Sequence, residues 1–201
     1  PYDKLLFEDI DKYVTNDFIY QYSVDPITAT IVGNRVVSDE VTAQFEGIFI
    51  SDKNANYKLL YDVELSDFES NVANALFEPR YSKYPVVVHS NLDYATFDIT
   101  ATFITAESMN NIENGDGSSF NVRMERLEKD KLMRFMKNGK PKVYRDHHGN
   151  IKLVSVIGNP RETPSNSKGG LSKLSFQLVE VGGMDGKSLR ANNLIPGMDG
   201  A

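Results

Sequence analysis

Histidine is the residue type here that most readily performs chemistry, and two of the three histidines are adjacent in Asp146-His147-His148. Imidazole and carboxylate groups are common metal ligands, so this triplet is a candidate site for a metal-dependent hydrolase. Neighbouring side chains in a strand or a tight turn point to opposite sides and do not easily hold one ion. We therefore favour a polar turn and rank the hydrolase last among three hypotheses.

Other catalytic patterns are missing from the sequence. It contains no cysteine, which excludes disulfides, thiolate metal sites and cysteine nucleophiles. Neither a Gly-x-Ser-x-Gly elbow, a Walker loop nor a Gly-x-Gly-x-x-Gly turn is present. Residues 114–117 partly match a calcium loop but lack its final glutamate. We predict a protein that is not an enzyme and has no catalytic residues, metal or cofactor.

Charge is distributed unevenly along the 201 residues. Residues 1–122 have a net charge of −13, whereas residues 123–145 have a net charge of +6. The basic stretch has three interpretations: a site for DNA phosphates, a solvated helix face, or a surface that contacts the acidic part of another copy. An acidic body repels nucleic acid, and complementary patches on one chain favour head-to-tail contacts. We favour the contact between copies.

Alternation of apolar and polar residues predicts a mainly β protein. Ala95, Phe97, Ile99, Ala101 and Phe103 alternate with polar residues, as in a half-buried strand, and 171–181 shows the same pattern. The turn at 146–150 predicts a hairpin between its flanking strands. We expect an antiparallel β-sandwich or split barrel flanked by one or two helices. The shorter candidate strands are 28–32, 36–37, 41–50, 57–65, 84–89, 142–145 and 151–157.

Two segments have helical patterns. In 124–137 the apolar residues Met124, Leu127, Leu132, Phe135 and Met136 form a stripe, and Asn138-Gly139 supplies a C-terminal cap. A weaker helix is predicted for 68–76, between a capping Ser66 or Asp67 and Pro79.

Three segments have no pattern. We expect loops at 106–119 and 158–170, and both are long for a compact domain. We expect residues 1–181 to form one domain with an N-terminal extension and residues 182–201 to form a C-terminal arm, which either places its apolar residues on a neighbour or is disordered. The longest apolar runs are far shorter than the roughly 20 residues of a membrane span, so we expect a soluble protein without a membrane contact.

The order of elements over about 86–181 resembles the tail-tube-like domain of bacteriophage distal-tail and baseplate hub proteins. The matching features are the strand 93–103, the helix 123–137, the phrase Asn138-Gly-Lys-Pro-Lys-Val-Tyr144, the hairpin across 146–150 and the strand 171–181. Residues 1–85 match less well. This resemblance implies a β-sandwich or split barrel whose copies form a hexameric ring around the DNA channel.

From the resemblance we expect a structural virion protein of a phage tail or baseplate, made in the host cytoplasm. Its partners would be copies of itself and other tail or baseplate proteins, and genomic DNA would only pass through the acidic lumen. The alternative hypothesis is a β-sandwich module that binds carbohydrate or a receptor. The residues predicted to lie at the subunit interface are Arg123, Arg126, Arg134, Lys137, Leu194 and Ile195.

Overall fold

The described residues of the computed structural model are 11–27, 30–115, 120–164 and 171–195. They form twelve strands and three helices. The strands are β1 (Ile19–Tyr20), β2 (Ser23–Val24), β3 (Val36–Val37), β4 (Val41–Thr42), β5 (Ile48–Ser51), β6 (Asn56–Leu59), β7 (Tyr61–Leu65), β8 (Glu69–Phe77), β9 (Val86–Thr102), β10 (Lys142–Asp146), β11 (Ile151–Pro164) and β12 (Ser172–Gly182). The helices are α1 (Ala106–Glu113), α2 (Val122–Met136) and α3 (Gly186–Ala191).

Eight strands form one antiparallel sheet in the order β6-β5-β10-β11-β12-β9-β7, with β8 also paired to β9. Strands β6 and β7 lie at opposite ends of this order although only Leu60 separates them in sequence. The segment 56–65 therefore runs from one end of the sheet to the other, and the sheet curls around a core. It does not close into a barrel. The predicted fold class, a mainly β antiparallel structure with flanking helices, is confirmed.

The interior of the curled sheet holds the main core. Phe97 of β9 and Tyr144 of β10 belong to strands that are not neighbours, yet their ring centroids are 4.9 Å apart. Ile99 and Leu174 have no exposed surface. The alternation that predicted β9 and β12 from the sequence is therefore the alternation between the interior and the exterior of the sheet.

Helix α2 covers the interior with Leu132, Met133, Phe135 and Met136, all buried. It begins after Asn121, whose side chain accepts hydrogen bonds from the backbone N–H groups of Arg123 and Met124. The helix predicted over 124–137 is thus present. The predicted apolar stripe is only half right, because Met124 and Leu127 are 50% and 44% exposed.

A second cluster lies on the outer face of β10 and β11. It consists of Val143, Leu153, Leu189 and Leu194. The Tyr13 hydroxyl donates to the Leu194 carbonyl and ties the N-terminal segment to the same place. Part of the segment predicted to lack structure, 182–201, is therefore the short helix α3 and a turn packed on the body.

The helix predicted over 68–76 is wrong, because these residues form strand β8. Its residues pair with β9 from Glu69 opposite Thr96 to Phe77 opposite Val86. The ladder satisfies the backbone groups that face each other across the two strands, and this pairing overrides the helix propensity of the alanine and leucine residues.

Both predicted loops are partly wrong. Residues 106–113 form α1 because the Thr105 side chain caps its first turn and because Glu125 of α2 accepts hydrogen bonds there. Strand β11 continues to Pro164 across a register shift at 157–161, where Gly158 has a φ of 66°. Residues 116–119 and 165–170, and with them much of the calcium-like sequence 114–117, lie outside the described residues.

Candidate subunit interface

The outer face of α2 brings four predicted interface residues together. At 3.6 residues per turn, the buried Leu132 and Met136 fall on one side of the helix, and the opposite side consists of exposed residues and the half-buried Asp130. Arg123 and Arg134 lie along the centre of that side, with Leu127 between them in sequence. The outer face, as defined here, comprises Arg123, Arg126, Leu127, Asp130, Arg134 and Lys137.

The buried side of α2 is fixed by a polar contact as well as by the core. Glu125 is 4% exposed, and its carboxylate accepts hydrogen bonds from the Thr105 backbone N–H at 2.8 Å and the Thr105 hydroxyl at 2.6 Å. The Ser108 hydroxyl donates to the same carboxylate. Because three donors satisfy it, the buried charge links α1 to α2 and orients the outer face away from the sheet.

The cations beside the outer face are engaged within the chain. Lys129 pairs with Glu162 and Lys131 pairs with Glu128. The hydrogen bond from Lys129 holds the pKa of Glu162 below its ordinary value. In the described part of the chain, Arg123, Arg126, Arg134 and Lys137 have no carboxylate within 4.0 Å, and of these Arg126 contributes by its charge to the lowered pKa of Glu162. The positive charge of the outer face is therefore available to a partner.

A second surface is the long ribbon, formed by β8, the turn at 78–85 and residues 86–95 of β9. Consecutive strand residues point to opposite sides, and Val86, Val87 and Val88 are 51%, 49% and 50% exposed. Leu76 and Phe77 on the other strand are 60% and 56% exposed. Near its tip, the long ribbon is therefore uncovered and apolar on both sides.

The long ribbon also extends far from the body. Ten residues of β9 at about 3.3 Å each give it a length of roughly 30 Å. Among the described residues, this half of β9 pairs with β8 alone, while Thr96 begins the ladder to β12. One edge of each ribbon strand is thus open to another strand.

A third surface, the N-terminal ribbon, comprises residues 17–43 except 28 and 29. It contains the pairs β1–β4 and β2–β3. Val36 and Val37 are adjacent, point to opposite sides, and are 67% and 50% exposed. Asn16 fixes its base, donating to the His147 carbonyl at 2.9 Å and accepting from the Phe45 backbone N–H at 2.8 Å.

The two other predicted interface residues lie elsewhere. Leu194 is 3% exposed and packs in the outer cluster with Val143 and Leu153 of its own chain. Ile195 is partly buried against the same cluster. The structure therefore does not bring these tail residues together with the arginines, and a role for them between copies stays a prediction.

The candidate metal triplet forms the turn between β10 and β11. Asp146 accepts hydrogen bonds from the Tyr144 hydroxyl and from the backbone N–H groups of His148 and Asn150. The carboxylate is thus used by the hairpin itself. Within the described ranges, no group of three or more His, Cys, Asp or Glu side chains could hold a metal ion.

The helices in the same part of the chain are too short or too polar to cross a membrane.

Sequence reasoning missed the two ribbons as surfaces. The sequence of each ribbon contains a run of adjacent valines, Val36-Val37 in one and Val86-Val87-Val88 in the other. Such runs do not alternate, so they indicate a strand with the same character on both sides. A buried strand of a parallel sheet gives the same pattern. The sequence could therefore not show that these valines are exposed.

No protein-family model and no curated protein matches the sequence. The fold is similar to that of a chain in a solved structure of the tail of an empty GTA particle with C6 symmetry. The two chains are 10% identical with a TM-score of 0.39, and the match covers 69% of this chain and 92% of the other.

Proposed function

We propose that this chain is a structural subunit of a phage-type tail or baseplate and that its copies assemble into a hexameric ring around the DNA channel. In this proposal it joins the tail tube to neighbouring baseplate proteins and is not an enzyme. The single observation that supports self-assembly most strongly is the pair of two-stranded ribbons with no covered side.

A two-stranded ribbon alone is at best marginally stable in water, and contiguous exposed apolar surface is typical of interaction sites. Covering Val86, Val87 and Val88 removes apolar surface from water, which is favourable at about 25 cal/mol for each Å². The open ribbon edges can add strands from other chains. A ring subunit gains both contributions from its neighbours.

The charge distribution supports a ring of identical subunits. The outer face of α2 is basic, whereas residues 1–122 have a net charge of −13. Two different, complementary patches on one chain form head-to-tail contacts, and these generate closed rings when the rotation from copy to copy closes. An acidic lumen would repel the phosphates of passing DNA.

Light scattering after size exclusion, over a range of protein concentrations, tests the proposal, together with electron microscopy of the largest species. We expect closed rings, with six copies as the expected number. A strictly monomeric protein at every concentration would contradict the proposal. Specific binding on a glycan array by that monomer would favour the carbohydrate-binding alternative.

A further inference from the structure

We propose that the N-terminal ribbon of one copy packs against the outer face of α2 of the next copy. This inference rests on the proposed function, because it names the surfaces by which the copies meet. The proposed contact does not involve the long ribbon. The partner is a second copy of this chain, and the contact joins exposed carboxylates and valines on one side to guanidinium groups and a leucine on the other.

The N-terminal ribbon is negatively charged, whereas the outer face of α2 has a net positive charge. Asp17, Asp39 and Glu40 are exposed, and in the described part of the chain none has a cation within 4.0 Å. Asp25 is already paired with Arg35 at 2.8 Å. The ribbon thus has three carboxylates without a cation, opposite in sign to the cations of the outer face.

The apolar parts of the two surfaces also match. Val37 and Val41 lie on either side of Asp39 and Glu40 in sequence, and they are 50% and 52% exposed. On the helix, Leu127 is 44% exposed between the arginines. A contact that buries apolar residues within a rim of opposite charges has the usual composition of an interface between proteins.

The fold places the two surfaces at opposite ends of one strand. Helix α2 ends at Met136, and Lys142 begins β10 shortly afterwards. The base of the N-terminal ribbon is fixed by Asn16 beside His147, at the other end of β10. Within the described ranges, no ion pair joins Asp17, Asp39 or Glu40 of the ribbon to α2 of the same chain. The geometry therefore favours a contact between chains, repeated head to tail.

Charge reversal in both surfaces tests the contact. One variant carries Arg126→Glu and Arg134→Glu, a second carries Asp39→Lys and Glu40→Lys, and a third combines all four changes. The matched control reverses two exposed cations of α3, with Lys187→Glu and Arg190→Glu. Sedimentation velocity over a concentration series gives the dissociation constant, and circular dichroism verifies that each variant is folded.

We expect each two-residue variant to raise the dissociation constant at least about tenfold, because like charges then face each other across the contact. The four-residue variant should return to within about threefold of the wild type, and the control should leave the constant unchanged. Loss of association without recovery in the four-residue variant would overturn this pairing of surfaces. So would unchanged association in either two-residue variant. In both cases wild-type assembly still supports the proposed function, whereas a monomeric wild type removes the basis of both proposals.

Discussion

Lys142 provides a test of the packing beneath α2. Its side chain is fully buried at the start of β10 and lies 4.8 Å from the centroid of the Phe135 ring. Its ammonium donates hydrogen bonds to Asn138 Oδ1 at 2.8 Å and to the Lys140 carbonyl at 2.7 Å. Burial lowers the pKa of Lys142 from 10.5 to about 8, and the Asp52 carboxylate offsets only part of this.

The lowered pKa makes stability depend on pH with a definite sign. Between pH 8 and 10.5 the unfolded chain still binds the proton that the folded chain has lost, so the free energy of unfolding rises with pH. The full difference between the two pKa values, 10.5 and about 8, corresponds to about 3 kcal/mol of unfolding free energy, at 1.36 kcal/mol for each pKa unit. About 2 kcal/mol of this falls between pH 7.5 and 9.5. Above pH 10 the raised pKa of the buried Tyr144 acts in the opposite direction.

Urea denaturation at intervals from pH 7.5 to 9.5 measures this effect, at one low protein concentration because association shifts apparent stability. We expect the free energy of unfolding to rise by about 2 kcal/mol in the wild type. Lys142→Met should remove the rise, and the exposed control Lys187→Met should keep it. A flat wild-type profile, or an equal rise in Lys142→Met, would refute the reasoning.

Two further substitutions separate the roles of the core and the ribbon. Glu125→Ala leaves the donors of Thr105 and Ser108 without an acceptor and should lower the free energy of unfolding by about 2–3 kcal/mol in urea denaturation, while Glu128→Ala should cost under about 1 kcal/mol. Equal losses in the two variants would contradict a structural role for the buried carboxylate. Val87→Lys should leave the melting temperature within about 2 °C, because the residue is half-exposed, but should weaken association in light scattering. A Val87→Lys protein that assembles like the wild type would show that the long ribbon is not a contact.

The sequence was sufficient for elements whose pattern is set by a single buried side. The alternation in residues 95–103 of β9 and in β12 reports one covered face, whereas the stripe of α2 does so only in its second half, because Met124 and Leu127 are exposed. The turn at 146–150 could be predicted from its glycine and asparagine alone. It was insufficient where a distant segment decides the structure. Strand β8 exists because β9 pairs with it, and α1 begins at Thr105 because Glu125 reaches it from α2.

The candidate interface was also predictable only in part. Arg123, Arg126 and Arg134 could be assigned to a helix from the sequence, and their spacing places them on one exposed face. Leu194 could not be placed correctly, because an apolar residue in a glycine-rich tail gives no sign of whether its own body or a neighbour covers it. The structure packs it against Val143 and Leu153.

Strand β9 is one continuous stretch of 17 residues that runs from the exposed ribbon into the centre of the body. A neighbour that pulls on the ribbon along its length would load the ladders of β9 with β12 and β7 together, in shear and not one bond at a time. Tension on this exposed ribbon is thus carried directly by a strand whose other half lies in the core, so that a pull at the surface is resisted by the interior of the fold.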